Sequence, residues 1–282
     1  MEVVETIEQI RKIISKAKSA GKKIGFVPTM GALHQGHLSL IEAAKKQSDF
    51  VVVSIFVNPT QFGPGEDIAK YPRPFDADTE ACKNSGVDVV FAPTVEQMYP
   101  GKNITWVNVE KLSEPLCGKS RPGHFRGVAT VCAKLFNIVR PDFAFFGQKD
   151  AQQVIVIQRM VADLNMPLEI VVCPTIREKD GLAMSSRNKY LNTAQRKDAV
   201  LLYAALQEAE LFIAAGEHKS SLLKSQMEKI LKISKQIKIE YISIVDARTL
   251  EAIDEIKGKV LIALAVKLGA ARLIDNIVLD VE

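Results

Sequence analysis

The chain has 282 residues, 47% apolar and 25% charged, enough to bury a large core in two domains and unlike a disordered or collagen-like chain. Its formal charge of +4 is spread evenly, with 20 basic against 18 acidic residues up to residue 176 and 17 against 15 beyond it, which argues against a charge-driven nucleic-acid protein. Four cysteines without a CxxC pair and only four histidines argue against a disulfide scaffold and a transition-metal cage.

The acidic start lacks a signal-peptide core, and no apolar run nears the ~18 residues of a spanning helix, so a cytoplasmic, membrane-free protein is expected. Ile7, Ile10, Ile13, Ile14 and Ala17 recur at helical spacing. A buried strand is predicted over 23–28, then a helix over 38–46. FVVVSIFV at 50–57 is the strongest strand signal. A helix over 76–84 and a strand over 87–91 follow. Val128, Cys132, Leu135, Phe136 and Val139 form a helical stripe ended by Pro141. Strands over 143–146 and 168–173 flank a helix over 152–162. Strands apolar on both faces and alternating with helices predict an α/β, Rossmann-like doubly wound parallel sheet. After Pro174, helices over 193–215 and 220–235 precede strands over 240–245, 260–265 and 271–281. That order predicts a smaller C-terminal α+β domain, with domains at 1–176 and 177–282. The basic residues Lys224, Lys229, Lys232, Lys235 and Lys238 read as a solvated helix face.

Chemistry-bearing segments gather at strand ends, where open parallel sheets bind ligands. PTMGALHQGH at 28–37 links a strand to a helix; Gly31 and Gly36 permit close backbone approach, and the helix start suits phosphate. His34 and His37, three apart, point the same way from the first turn and can donate to phosphate oxygens. NPTQFG at 58–63 offers Asn58 and Gln61 for hydroxyl and carboxylate groups, although Asn-Pro is also plain turn chemistry. FGQKDAQQ at 146–153 offers Lys149 for phosphate and Asp150 for helix capping or ribose, with Gln153 one turn on. Met184-Ser185-Ser186-Arg187 makes a compact polyphosphate clamp. GKS at 118–120 lacks the first glycine of a P-loop, and neither GxGxxG nor GxSxG occurs.

With these segments, YPRPFDAD, RPGHFRGVATV and REKDGLAMSSRN complete a pattern that resembles the pantothenate synthetase (pantoate–β-alanine ligase) family; the HxGH element also resembles the wider nucleotidyltransferase superfamily. The resemblance implies a Rossmann-like domain at 1–176 that binds nucleotide and pantoate, and a lid domain at 177–282. It implies ATP-dependent condensation of (R)-pantoate with β-alanine to pantothenate through pantoyl-adenylate, releasing pyrophosphate and AMP. It assigns catalysis to His37, His34, Lys149 and Arg187. ATP falls to Met30, Gly31, Ala32, Leu33, His34, Gln35, Gly36, His37, Gly147, Gln148, Lys149, Asp150, Ile176, Met184, Ser185, Ser186 and Arg187. Pantoate falls to Gln61, Gln153 and Asn58, and β-alanine to Gln61. No protein-held metal is implied; Mg²⁺ accompanies ATP. A cytoplasmic homodimer without nucleic-acid or membrane partners is expected. Two rivals remain: a nucleotidyltransferase acting on a phosphate acceptor, and an RNA-binding module using the 224–238 lysines, the latter opposed by one tryptophan and 6% aromatics.

Overall fold

The computed structural model describes residues 1–282. The chain forms two compact units: Met1–Glu114 with Gly118–Gln148 and Gln152–Pro174, and Pro115–Cys117 with Lys149–Ala151 and Thr175–Glu282.

The elements from the N-terminus to residue 173 are β1 (Glu2–Val4), α1 (Ile7–Ser19), β2 (Ile24–Thr29), α2 (Gln35–Gln47), β3 (Phe50–Ile55), α3 (Phe75–Asn84), β4 (Val89–Phe91), α4 (Val95–Met98), α5 (Cys117–Ser120), α6 (His124–Val139), β5 (Phe143–Gly147), α7 (Ala151–Asp163) and β6 (Glu169–Cys173). Six parallel strands lie in the order β1-β4-β3-β2-β5-β6. Strands after β2 build outward on one side and β5–β6 on the other. The order therefore reverses between β2 and β5, the switch point of a doubly wound sheet, with its crevice at their carboxyl ends. Phe26 on β2 meets Phe136 on α6 edge-on at 6.4 Å, and Phe136 meets Phe146 on β5 at the same distance. The whole predicted stripe of α6 is buried.

Edge strand β1 has no counterpart in the sequence reading: three residues are too few to display a period. α1 opens with a capping box between Thr6 and Gln9. Val51, Val52 and Val53 are all buried, as a strand covered by helices on both faces requires.

The second unit carries α8 (Thr193–Asp198), α9 (Leu201–Ala214), α10 (Ser220–Leu231), β7 (Ile237–Asp246), β8 (Gly258–Leu268) and β9 (Ala271–Val281). The strands form an antiparallel sheet in the order β7-β8-β9. The helix predicted over 193–215 divides at Ala199–Val200 without a glycine or proline, both residues keeping right-handed helical dihedrals. The helix predicted to run to 235 stops at Leu231. β7 and β8 are longer than predicted, extending through exposed Lys238, Lys259 and Lys267. Leu223, Met227 and Leu231 are buried and Lys229 and Lys232 are exposed, but Lys224 is half-buried, and Lys235 and Lys238 lie beyond α10, Lys238 on β7, so the five lysines do not form one helix face. No helix is long and apolar enough to cross a membrane.

Candidate active site

In the first unit, the loop after β2 is held by an acid to which the sequence reading gives no role. Asp78, on α3, is 3% exposed. Its Oδ2 accepts the Ala32 N–H at 2.8 Å and its Oδ1 the Leu33 N–H at 2.7 Å. Gly31 has φ +80°, and a Cβ there would stand 2.8 Å from Asp78 Oδ2. Gly31 thus serves a left-handed turn and close packing within the chain. Ala32 is also left-handed, at φ 51°, a conformation that costs a non-glycine residue about 1–2 kcal/mol. The Asp78 bonds offset that cost. Thr29 Oγ1 accepts the Gly31 N–H at 3.1 Å and donates to the Ser54 carbonyl at 2.7 Å, tying the loop to β3.

His34 is not in the first turn of α2 but is its N-cap. Its Nδ1 accepts the Gly36 N–H at 3.1 Å, while His37 Nδ1 accepts the His34 N–H at 3.3 Å. The rings lie 4.2 Å apart, tilted by 44°. A nitrogen that accepts carries no proton, so each neutral ring keeps its proton on Nε2. The helix start therefore displays two half-buried imidazoles whose donor atom is Nε2. Gln35 between them is exposed.

The loop after β3 packs against this one. Gln61 is 8% exposed, and its Nε2 donates to Met30 Sδ at 3.1 Å. Asn58, expected to contact pantoate, is hydrogen-bonded within the chain. Its Nδ2 donates to Gln61 Oε1 at 3.0 Å and to the Gly127 carbonyl at 3.2 Å. Its Oδ1 accepts from Tyr99 Oη and Thr60 Oγ1, both at 2.9 Å. At 1% exposure these bonds fill the amide, and Asn58 aims Gln61. Gly127 lets α6 press on the same loop: a Cβ would fall 2.4 Å from the Thr60 carbonyl oxygen.

Gln61 is also held by its backbone. His124 Nδ1 lies 2.8 Å from its carbonyl, and Arg121 Nη1 lies 3.0 Å from His124 Nε2. Arg121 can only donate, so His124 accepts at Nε2 and donates from Nδ1 to Gln61. Arg121 grips Glu66 with two bonds of 2.7 and 2.6 Å. Burial works to raise the Glu66 pKa, but the Arg121 hydrogen bonds and charge win, and it sits below the usual carboxylate value.

β5 ends at Gly147 beside β2, and Gln148–Asp150 make a tight turn into α7. On α7, Gln153 is half-buried, and its neighbour Gln152 donates to the Leu112 carbonyl at 3.0 Å.

In the second unit, Lys149 Nζ lies 3.7 Å from Asp150 Oδ1, and Asp150 is exposed. Residues 176–184 form a hairpin. Met184 N–H donates to the Ile176 carbonyl at 3.0 Å, Arg177 bridges Ala183, and Gly181 turns at φ +94°. Asn188 Nδ2, in the turn that follows, donates to Glu178 of the hairpin at 2.8 Å, and Arg196 bonds Glu178 at 2.6 Å and Asp180 at 2.7 Å. Ser185 caps the turn Ser186–Tyr190 by accepting the Arg187 N–H.

All four cysteines are buried thiols. Burial pushes Cys132 up to about 12; burial and then the Asp78 charge push Cys82 to about 12. Such thiols are packing groups, not nucleophiles. The chemistry on offer is hydrogen-bond donation and positive charge at a helix start, with uncharged amides beside it.

A model of the pantoate-β-alanine ligase family matches residues 2–278. The pantothenate synthetase of Moorella thermoacetica is 56% identical over 282 residues, covering all of both chains. That of Acetivibrio thermocellus is 55% identical over 281 residues, again covering all of both. Among solved structures, pantothenate synthetase from Thermus thermophilus superposes with a TM-score of 0.94 at 44% identity, covering 98% of this chain and 99% of that one. Pantoate-beta-alanine ligase from Francisella tularensis, complexed with beta-gamma ATP and beta-alanine, gives 0.80 at 36% identity over 98% and 97%.

Proposed function

We propose a two-step, adenylate-forming reaction for this chain, which belongs to the pantoate–β-alanine ligase family and is a ligase. A pantoate carboxylate oxygen attacks the α-phosphorus of ATP. An acyl–phosphate bond forms, the α–β bridge breaks and pyrophosphate leaves. The β-alanine ammonium gives up a proton, its free amine attacks the acyl carbon, a C–N bond forms, the acyl carbon–oxygen bond to phosphate breaks, AMP departs and the nitrogen's second proton passes to solvent. Carboxylate and amine are the nucleophiles in this scheme, so the protein's contribution is positioning and charge stabilisation.

The observation that carries this reading is the histidine pair, with both Nδ1 atoms accepting helix-start N–H groups and both protons left on Nε2. His37 Nε2 donates to the α-phosphate as charge develops there, and His34 Nε2 to a neighbouring phosphate oxygen. Backbone from Met30 to Gly36, with Gly147 and Gln148, lies along ATP. Gln61, aimed by Asn58, holds pantoate and then β-alanine, while Gln153 holds pantoate. Lys149, Ser185, Ser186 and Arg187 take phosphate, Asp150 ribose, and Ile176 and Met184 the adenosine end. Mg²⁺ is taken to arrive with ATP, held mostly by phosphate oxygens and water, and no step is routed through it. The reading includes a cytoplasmic homodimer.

AMP release tests it. With ATP and pantoate alone, pyrophosphate should appear in an amount near that of enzyme. AMP and pantothenate should then appear one for one only when β-alanine is added. AMP transferred into a stable product, or ATP consumption indifferent to β-alanine, would favour the nucleotidyltransferase instead.

A further inference from the structure

We propose that Asp275 and Asn276, consecutive residues of β9, are positioning residues that each set one phosphate-handling segment of the second unit. The inference rests on the roles given above to Lys149 and to Met184–Arg187.

Asn276 is 4% exposed, and its Nδ2 donates to the Lys149 carbonyl at 2.9 Å. It fixes the backbone from which the Lys149 side chain springs. Asp275 is 1% exposed, and its two oxygens take the Arg177 fork at 2.6 and 3.0 Å. Arg177 also donates to the Gly181 carbonyl at 3.0 Å and stacks on Tyr203, 3.8 Å from the ring centre. Tyr203 closes the other side of the hairpin turn: a Cβ on Gly181 would fall 2.3 Å from its ring. Asp275 thereby fixes the hairpin whose second strand runs on into Met184–Arg187.

The pairing of the sheet itself is made by backbone. β9 pairs with β8 through its backbone, Asp275 opposite Leu264 and Asn276 opposite Ala263. A buried carboxylate is costly unless paired, and burial raises the Asp275 pKa despite the opposing Arg177. Asp275 Oδ1 also accepts the Asn276 N–H at 2.8 Å within β9, but both its oxygens meet the Arg177 fork and the Asn276 amide reaches the Lys149 carbonyl, so each residue ties β9 to a segment outside the sheet. On this reading each acts through another residue.

The test is a pair of double-mutant cycles read on separate half-reactions. Asn276→Asp keeps size but sets a carboxylate oxygen against the Lys149 carbonyl. We expect pantoate-dependent exchange between pyrophosphate and ATP to fall about tenfold with a raised KM for ATP, as misplacement of a positioned group does. Attack of β-alanine on preformed adenylate should stay within about twofold, and in a Lys149→Ala background Asn276→Asp should add little. Arg177→Lys keeps the charge beside Asp275 but loses the fork; its effect should fall on the ATP step and vanish in an Arg187→Ala background. Should one variant fail to fold, the other cycle still decides. Losses that multiply with the Lys149 or Arg187 losses, or that strike both half-reactions alike, would overturn the inference. If Lys149→Ala and Arg187→Ala themselves leave exchange intact, the roles proposed for them fail first, and that failure is separately visible.

Discussion

His37→Ala should lower the pyrophosphate-forming rate about 10²- to 10³-fold, the cost of removing one aimed donor from a developing oxyanion. Folding should hardly notice. The ring is half-buried, and the bond it accepts from the His34 N–H is a capping bond of about 1 kcal/mol. Two further variants separate capping from catalysis. His37→Asn keeps an acceptor near the Nδ1 position and loses the Nε2 donor. It should be as stable as the parent in thermal unfolding and as slow as the alanine variant. His37→Gln places an amide N–H near Nε2 and should recover part of the rate. An asparagine variant that turns over near the parent rate would remove His37 from the chemistry.

Asp78→Asn should do damage of a different kind. The side chain keeps its shape, but its NH₂ replaces an oxygen facing the Ala32 or Leu33 N–H. One buried donor loses its partner and meets another donor instead. Hydrogen bonds to charged groups contribute about 1.5–3 kcal/mol each, so a loss of about 2–3 kcal/mol is expected. For a unit of this size that is roughly 5–10 °C in Tm. Ala32 then no longer has its left-handed backbone held, and the His34–His37 platform shifts with it. Adenylation should fall at least about tenfold even well below the melting range, because misplacement by about 1 Å can cost 10²-fold. Differential scanning calorimetry and half-reaction rates measured on one preparation check both. An Asp78→Asn enzyme with unchanged Tm and rate would show that the loop holds itself.

The contrast between these residues marks how far the sequence can be read. The strands Ile24–Thr29 and Phe50–Ile55 announce themselves because both faces are apolar, and the glycine-flanked histidines announce themselves by lying between a strand and a helix. Fold class and family follow from such local signals. Asp78 ends YPRPFDAD, a segment that carries the family resemblance, but nothing local states its task, because its partners lie 46 and 45 positions away. Arg121 and His124 sit in a segment that carries the family resemblance, yet their task depends on a carbonyl about sixty residues off. Asn58 reads as a ligand contact because it stands beside Gln61. Only its hydrogen bonds in the fold show an amide already filled. The division between α8 and α9 is hidden for a related reason, since residues with helical dihedrals and good propensity leave no mark in the composition.

In the proposed scheme pantoate's carboxylate attacks ATP before any amine arrives. Isotope exchange between labelled pyrophosphate and ATP tests it most directly, with pantoate present or absent and no β-alanine in either arm. Label should enter ATP at a rate comparable to turnover when pantoate is present, and stay at background when it is left out. Exchange without pantoate, or none with it, would contradict the account.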